Sequence, residues 1–182
     1  MNPDAWTELV LDTGPLSHLA RAGWLSVLRY VAESDGRNVV ITEGVRAEVV
    51  DGVHQYPHLQ QILDANWVTV RRLTSPRELA DFGLMAQRLI VRNRNVGESE
   101  VLAYAKANDQ IAVVDDGPGR KAAKHYGIEL KPTLALLCDA VRKKKLTVDL
   151  VSSVADQLLE TEYRLPFPTG GFKAWAAKEN LC

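Results

Sequence analysis

Short apolar runs alternate with stretches of helical period along the whole chain. Residues 7–12, 38–41, 67–71 and 111–115 read as strands, and in the third of these Val68 and Val70 alternate against Thr69 and Arg71. Between them lie helical stretches at 14–32, 42–52, 55–65, 77–93 and 98–107. In 77–93, Leu79, Phe82, Met85, Leu89 and Ile90 recur at helical spacing; in 98–107, Val101, Leu102 and Ala105 share a face. Pro118 suits a first helical turn, and the helix it opens should stop at Gly127. Ile128 to Leu130 is expected as a last short strand, Pro132 opens a helix running to about Lys145, and another helix covers 148–162. Parallel neighbours require crossover connections, so this alternation predicts an α/β fold with a mostly parallel central sheet and helices on both faces.

Two of the apolar runs end in acid. Leu9-Val10-Leu11 stops at Asp12, and Ile111-Ala112-Val113-Val114 stops at Asp115 and Asp116. Each is followed by a helix-opening turn, Thr13-Gly14-Pro15 and Gly117-Pro118-Gly119, so the acids belong at the carboxyl ends of strands, where open α/β sheets bind ligands. Glu48, one turn into the helix that Thr42 can cap, and Glu98, at the start of the helical stretch 98–107, complete the set. Asp12 and Asp116 can also cap the helices that follow them, and Glu98 suits a helix dipole, as does Glu43. Glu100, two residues beyond Glu98, should point elsewhere, into a salt bridge or a supporting contact.

Convergent carboxylates without histidine or cysteine partners favour hard divalent ions such as magnesium or manganese. Zinc fits poorly. His54 and His58 have i, i+4 spacing, but Pro57 lies between them and no glutamate completes an H-E-x-x-H motif, which leaves them a structural or surface role.

Composition narrows the function further. A net charge of −1 excludes a protein that coats nucleic acid by bulk electrostatics, while leaving local basic patches at Arg71-Arg72, at Arg88 with Arg92 and Arg94, at Arg120 with Lys121 and Lys124, and from Arg142 to Lys145. Each alone reads as a solvated face. Two cysteines, Cys138 and Cys182, support neither a disulfide framework nor a four-thiolate zinc site. The start at Met1-Asn2-Pro3-Asp4 lacks a basic segment followed by an apolar one, and no apolar run approaches the roughly 20 residues of a membrane span, so a cytoplasmic chain is expected. One domain over 1–164 is expected, with 165–182 as an extended arm: Pro166, Pro168 and Gly170-Gly171 interrupt any continuous helix, while Phe167, Phe172 and Trp175 supply anchors.

Four stretches in order carry a resemblance: Leu11-Asp12-Thr13-Gly14-Pro15-Leu16; Val45-Arg46-Ala47-Glu48-Val49; Gly97-Glu98-Ser99-Glu100-Val101-Leu102-Ala103-Tyr104-Ala105; and Val114-Asp115-Asp116 leading through Arg120 and Ala123 to Gly127-Ile128. From about residue 7 to 162 the chain resembles PIN-domain proteins, specifically the bacterial and archaeal branch related to the toxin nucleases of toxin–antitoxin pairs. The resemblance implies a metal-dependent endoribonuclease using Asp12, Glu48, Glu98 and one or both of Asp115 and Asp116, with Thr13 supporting the first carboxylate. Arg120 and Thr133 are further supporting candidates, though Thr133 can instead cap the helix it opens. It also implies an RNA substrate, a possible antitoxin-like partner and a homodimer, for which Leu16, Leu19, Trp24, Leu25 and Leu28 look exposed enough to serve. Similar sequences often have arginine where this chain has Gly117, Thr-Gly-Thr where it has Lys131-Pro132-Thr133, and aspartate in place of Glu98.

Three rival readings remain. A covalent phosphatase built on Asp12 needs a second aspartate where Gly14 stands, and a phosphoacceptor domain needs a late strand-end lysine for which Lys131 is a weak candidate. The third is an inert PIN-like module that binds nucleic acid or protein. Retention of all the acids argues against it.

Overall fold

The computed structural model describes residues 7–90 and 95–179. Arg92, Arg94 and Cys182, named above, lie outside them, as does the start of the chain. Four strands, β1 (Glu8–Leu11), β2 (Asn38–Thr42), β3 (Val68–Arg71) and β4 (Ile111–Val113), form one parallel sheet in the order β3-β2-β1-β4. Leu11 pairs with Val113 and Val10 with Val40, so β1 is flanked on both sides, and all of it is buried. A strand covered on both edges and both faces reads as a continuous apolar run, as Leu9-Val10-Leu11 does. The edge strand β3 is largely exposed and keeps the alternating pattern.

Helices cover both faces. Thr13–Arg21 (α1) and Leu25–Ser34 (α2) follow β1; Glu43–Val53 (α3) follows β2; a 3-10 turn at Pro57–Leu59 leads into Gln60–Leu63 (α4). Pro76–Leu89 (α5) and Val96–Ala107 (α6) precede β4, and Gly117–Tyr126 (α7), Thr133–Arg142 (α8), Val148–Glu160 (α9) and Phe172–Lys178 (α10) complete the chain. The outcome is a three-layer α/β/α architecture, as the alternation predicts.

The differences from the expected elements have local causes. The stretch 14–32 is two helices, because Gly23 takes a left-handed φ of 77° and turns the chain between them. The expected strand at 128–130 is reduced to one parallel bridge, Ala112 to Leu130, cut short by the turn into α8 at Pro132. In α5, Leu79 is 53% exposed and does not join Met85 and Leu89 in the core. On α6 the apolar residues are not confined to one face: it is enclosed by the sheet, α3, α5 and α7, and buries Val101, Leu102, Ala103, Tyr104 and Ala105. That enclosure draws Glu98 into the interior with it.

The apolar residues offered for a homodimer are consumed within the chain. Leu16, Leu19, Leu25 and Leu28 belong to its own core, and Trp24 packs against that core and donates its indole N–H to Gln157. Of the five, only Trp24 keeps partial exposure, so the four leucines offer no surface to a second copy. Residues beyond α9 pack on the same body: Phe167 and Phe172 are buried, Trp175 packs at a tilt beside both, and α10 lies against α9. No helix among the described residues is long and apolar enough to cross a membrane.

Candidate active site

The chain runs from β1 outward through β2 to β3, then returns to place β4 on the other side of β1. The crevice at such a reversal lies beyond the carboxyl ends of β1 and β4, and those two strands deliver Asp12 and the Asp115-Asp116 pair to it. Asp12, Thr13, Glu48, Asn95, Glu98 and Asp116 line one cavity of about 190 Å³ there.

Each acid is held by a different device. Glu48 reaches from α3 to accept a hydrogen bond from Thr13 Oγ1 at 2.5 Å on Oε2 and from the Gly97 N–H at 3.0 Å on Oε1. Position 97 must lack a side chain for this, because a Cβ there would sit 2.9 Å from both Glu48 oxygens. Asp116 caps α7, accepting from the Gly119 N–H at 2.9 Å on Oδ1. Asp12 stands at the N-cap position of α1 without a capping hydrogen bond, the N–H groups of Thr13 and Gly14 facing it outside capping geometry. Glu98, in the first turn of α6, is only 5% exposed, and its Oε1 is buried with no hydrogen-bond partner.

Crowded carboxylates, one of them buried, resist ionisation together. Burial, then the negative charges of Glu48 and Asp116, push the Asp12 carboxyl up to about 7, partly offset by the Thr13 and Gly14 N–H groups. Glu98 is raised further out of the carboxylate range, by burial first and then by Asp116, Asp12 and Glu48. Among the described residues, no three His, Cys, Asp or Glu side chains have the spacing of a ready-made metal site. The four acids share a cavity rather than a point.

Asp115 is directed elsewhere. Its two oxygens accept from the Thr133 N–H and Oγ1, both at 2.8 Å, so it caps α8 from a distance and ties the end of β4 to that helix. Tyr163 faces the same carboxylate; burial, then the Asp115 charge, raises its phenol. Thr133 therefore partners Asp115 and not the acidic cavity, and Arg120 lies on a neighbouring, larger cleft. Glu100 accepts from the Gly44 N–H at 2.7 Å, supporting the start of α3 and through it Glu48. His54 and His58 are exposed. Of the basic patches, Arg71 pairs with Glu8, Arg72 with Glu43, Arg142 with Asp139, and Lys143 and Lys145 with Asp35.

Sequence reading missed several residues. Asn95 lines the acidic cavity from a left-handed backbone position (φ 68°), and an Asn just ahead of Val96-Gly97-Glu98 is the signal that was available. His18 hydrogen-bonds through Nδ1 to Thr161 Oγ1 at 2.7 Å and meets the Tyr163 ring edge-on at 5.1 Å, with burial, then Arg21, holding its pKa low. Glu162, Tyr163, Arg164 and Trp175 reach the larger cleft from beyond α9, a placement no spacing in the sequence announces.

No curated protein and no solved structure matches the chain. A family model described as a PIN domain matches residues 8–168, a span that takes in all four strands and every acid of the cavity, and the chain belongs to the PIN-domain family.

Proposed function

We propose that this chain is an endoribonuclease dependent on magnesium or manganese, acting in the cytoplasm. The observation that carries the reading is the state of the acidic cavity: a buried Glu98 oxygen without a partner, beside an Asp12 carboxyl pushed up to about 7. Such groups are costly unless something positive joins them. A hard divalent cation fits an all-oxygen donor set, and the residues suited to hold it are Asp12, Glu98 and Asp116.

The bound ion would activate water and neutralise charge at the scissile phosphate. The chain's own residues prepare the ground for this. Thr13 and the Gly97 N–H fix Glu48, leaving it positioned to orient water, and the Gly119 N–H fixes Asp116 at the rim. Asp115, with both oxygens engaged by Thr133, is a positioning residue for the strand end rather than a ligand.

The test is cleavage of a labelled single-stranded RNA by the purified chain with magnesium or manganese, repeated with a chelator and with Asp12→Asn. Cleavage that is lost in both controls is expected. Metal-independent cleavage, or an Asp12→Asn rate equal to the parent's, overturns the reading. An inert binding module would instead show neither cleavage nor a cation-induced rise in melting temperature. The toxin role rests on the resemblance of the four motifs, and it predicts that the product of a small adjacent gene binds the chain and suppresses cleavage.

A further inference from the structure

Next to the acidic cavity lies a much larger cleft, about 930 Å³, with Asp12 and Asp116 on the walls of both. That volume is near the top of the roughly 300–1,000 Å³ range of ligand clefts. Its walls are of three kinds, acids at the end shared with the smaller cavity, arginines, and flat or apolar groups. Arg120, Arg142 and Arg164 supply positive charge; Leu134, Pro132 and Trp175 supply flat or apolar surface. Arg142 is engaged by Asp139 at 2.8 Å, whereas Arg120 and Arg164 are exposed and make no ion pair among the described residues. Trp175 is half-buried, packs at a tilt against Phe167 and Phe172 at ring separations of 5.1 and 6.1 Å, and is one of the residues lining the cleft.

We propose that this cleft is a groove for single-stranded nucleic acid, with Trp175 receiving an unstacked base and Arg164 and Arg120 the phosphates beside it. The choice of polymer rests on the nuclease reading above. The choice of single strand rests on the cleft itself. A base can reach an aromatic wall only when it is out of a duplex stack, and stacking platforms flanked by arginines bind strands with little regard to sequence. Because Asp12 and Asp116 border both cavities, a strand lying in the cleft carries its backbone to the acids at one end. Asp115 and Glu162 add negative charge to the wall beyond Asp12 and Asp116, so attraction for the backbone depends on the arginines. Arg164 and Trp175 both follow α9, so the segment beyond that helix takes part in substrate binding instead of merely closing the fold.

The experiment is fluorescence anisotropy of a labelled ten-nucleotide single-stranded RNA, with chelator present so that no cleavage is needed, using the full chain, Arg164→Gln and Trp175→Phe. Arg164 is exposed, and phenylalanine retains ring contact with Phe167 and Phe172, so both variants should keep their melting temperatures. Arg164→Gln is expected to weaken binding about fivefold or more and to reduce the slope of log K against log salt by about 0.7, one phosphate contact on a single strand. Trp175→Phe should weaken it about threefold, and an RNA duplex should bind the parent chain at least tenfold less well. Binding by the parent chain weaker than about 100 µM, the weak end of non-specific affinity, overturns the proposal. So do variants that bind like the parent, or equal affinity for duplex and single strand. Should Trp175→Phe unfold, the salt slope of Arg164→Gln decides alone. Cleavage without these binding effects removes the groove and spares the nuclease; the binding effects without cleavage do the reverse.

Discussion

Asp12→Asn should make the metal-free protein more stable while removing its response to metal. Burial and the neighbouring acids raise the Asp12 carboxyl from 3.8 to about 7 in the folded chain. Above pH 7 the group is ionised in both folded and unfolded states, and folding carries the full cost of charging it in the cavity. Between about 4 and 7 the folded state retains a proton that the unfolded state has lost, so stability falls as pH rises through this window and levels off beyond it. At about 1.4 kcal/mol per pKa unit the ceiling is about 4 kcal/mol. Asp12 retains some accessible surface, and solvent screening reduces this to about 2 kcal/mol. For a chain of this length that corresponds to a melting temperature about 4–8 °C higher for Asp12→Asn at pH 8, with the gap closing towards pH 4. Differential scanning calorimetry in chelator across that range measures it. Added manganese should then raise the melting temperature of the parent but not of Asp12→Asn, because only binding to the folded state stabilises it. A variant melting at or below the parent at pH 8, or a gap independent of pH, would refute the assignment of Asp12 as a destabilised, functionally placed acid.

Gly119→Ala should cost about 1–3 kcal/mol in denaturant unfolding, since its Cβ would lie 2.8 Å from Val114 Cγ1 and press on the buried Glu98 carboxyl, and RNA cleavage should fall with it. Thr133→Val removes the hydroxyl bond to Asp115 from a buried site and should lower stability by about 1.5–3 kcal/mol, read from the same unfolding curves; a change within error would mean that the Thr133 hydroxyl does not hold Asp115. Glu78 is held at about 2 despite the opposing effect of burial, because Asn108 and the Ser75 and Thr74 N–H groups donate to its carboxylate. Its contribution is full above about 4.5 and fades as pH falls towards 2, so Glu78→Gln should flatten the acid limb of melting temperature against pH.

Much of this molecule is settled by local sequence. A run such as Leu9-Val10-Leu11 has no polar edge to show water and must be a central strand; Gly127, at a φ of 65°, ends α7 where predicted; and Asp12 and Asp116 stand next to their strands, so their position at the sheet's carboxyl edge follows from chain continuity. What local sequence cannot express is which strand neighbours which. Only the sheet order puts β4 beside β1, and only that adjacency brings Asp116 to Asp12. Adjacent acids in sequence, Asp115 and Asp116, part company because one meets the N-terminus of α8 and the other caps α7, a choice made by helices arriving from elsewhere. Amphipathic stretches likewise show that α1 and α2 have an apolar face but not what covers it, which is why Leu16 and Leu28 resemble an interface and are in fact core. The cleft beside the acids belongs entirely to tertiary structure: Arg164 and Trp175 join it because α9 and α10 fold back on the domain, through contacts between residues too distant in sequence for any periodicity to relate them.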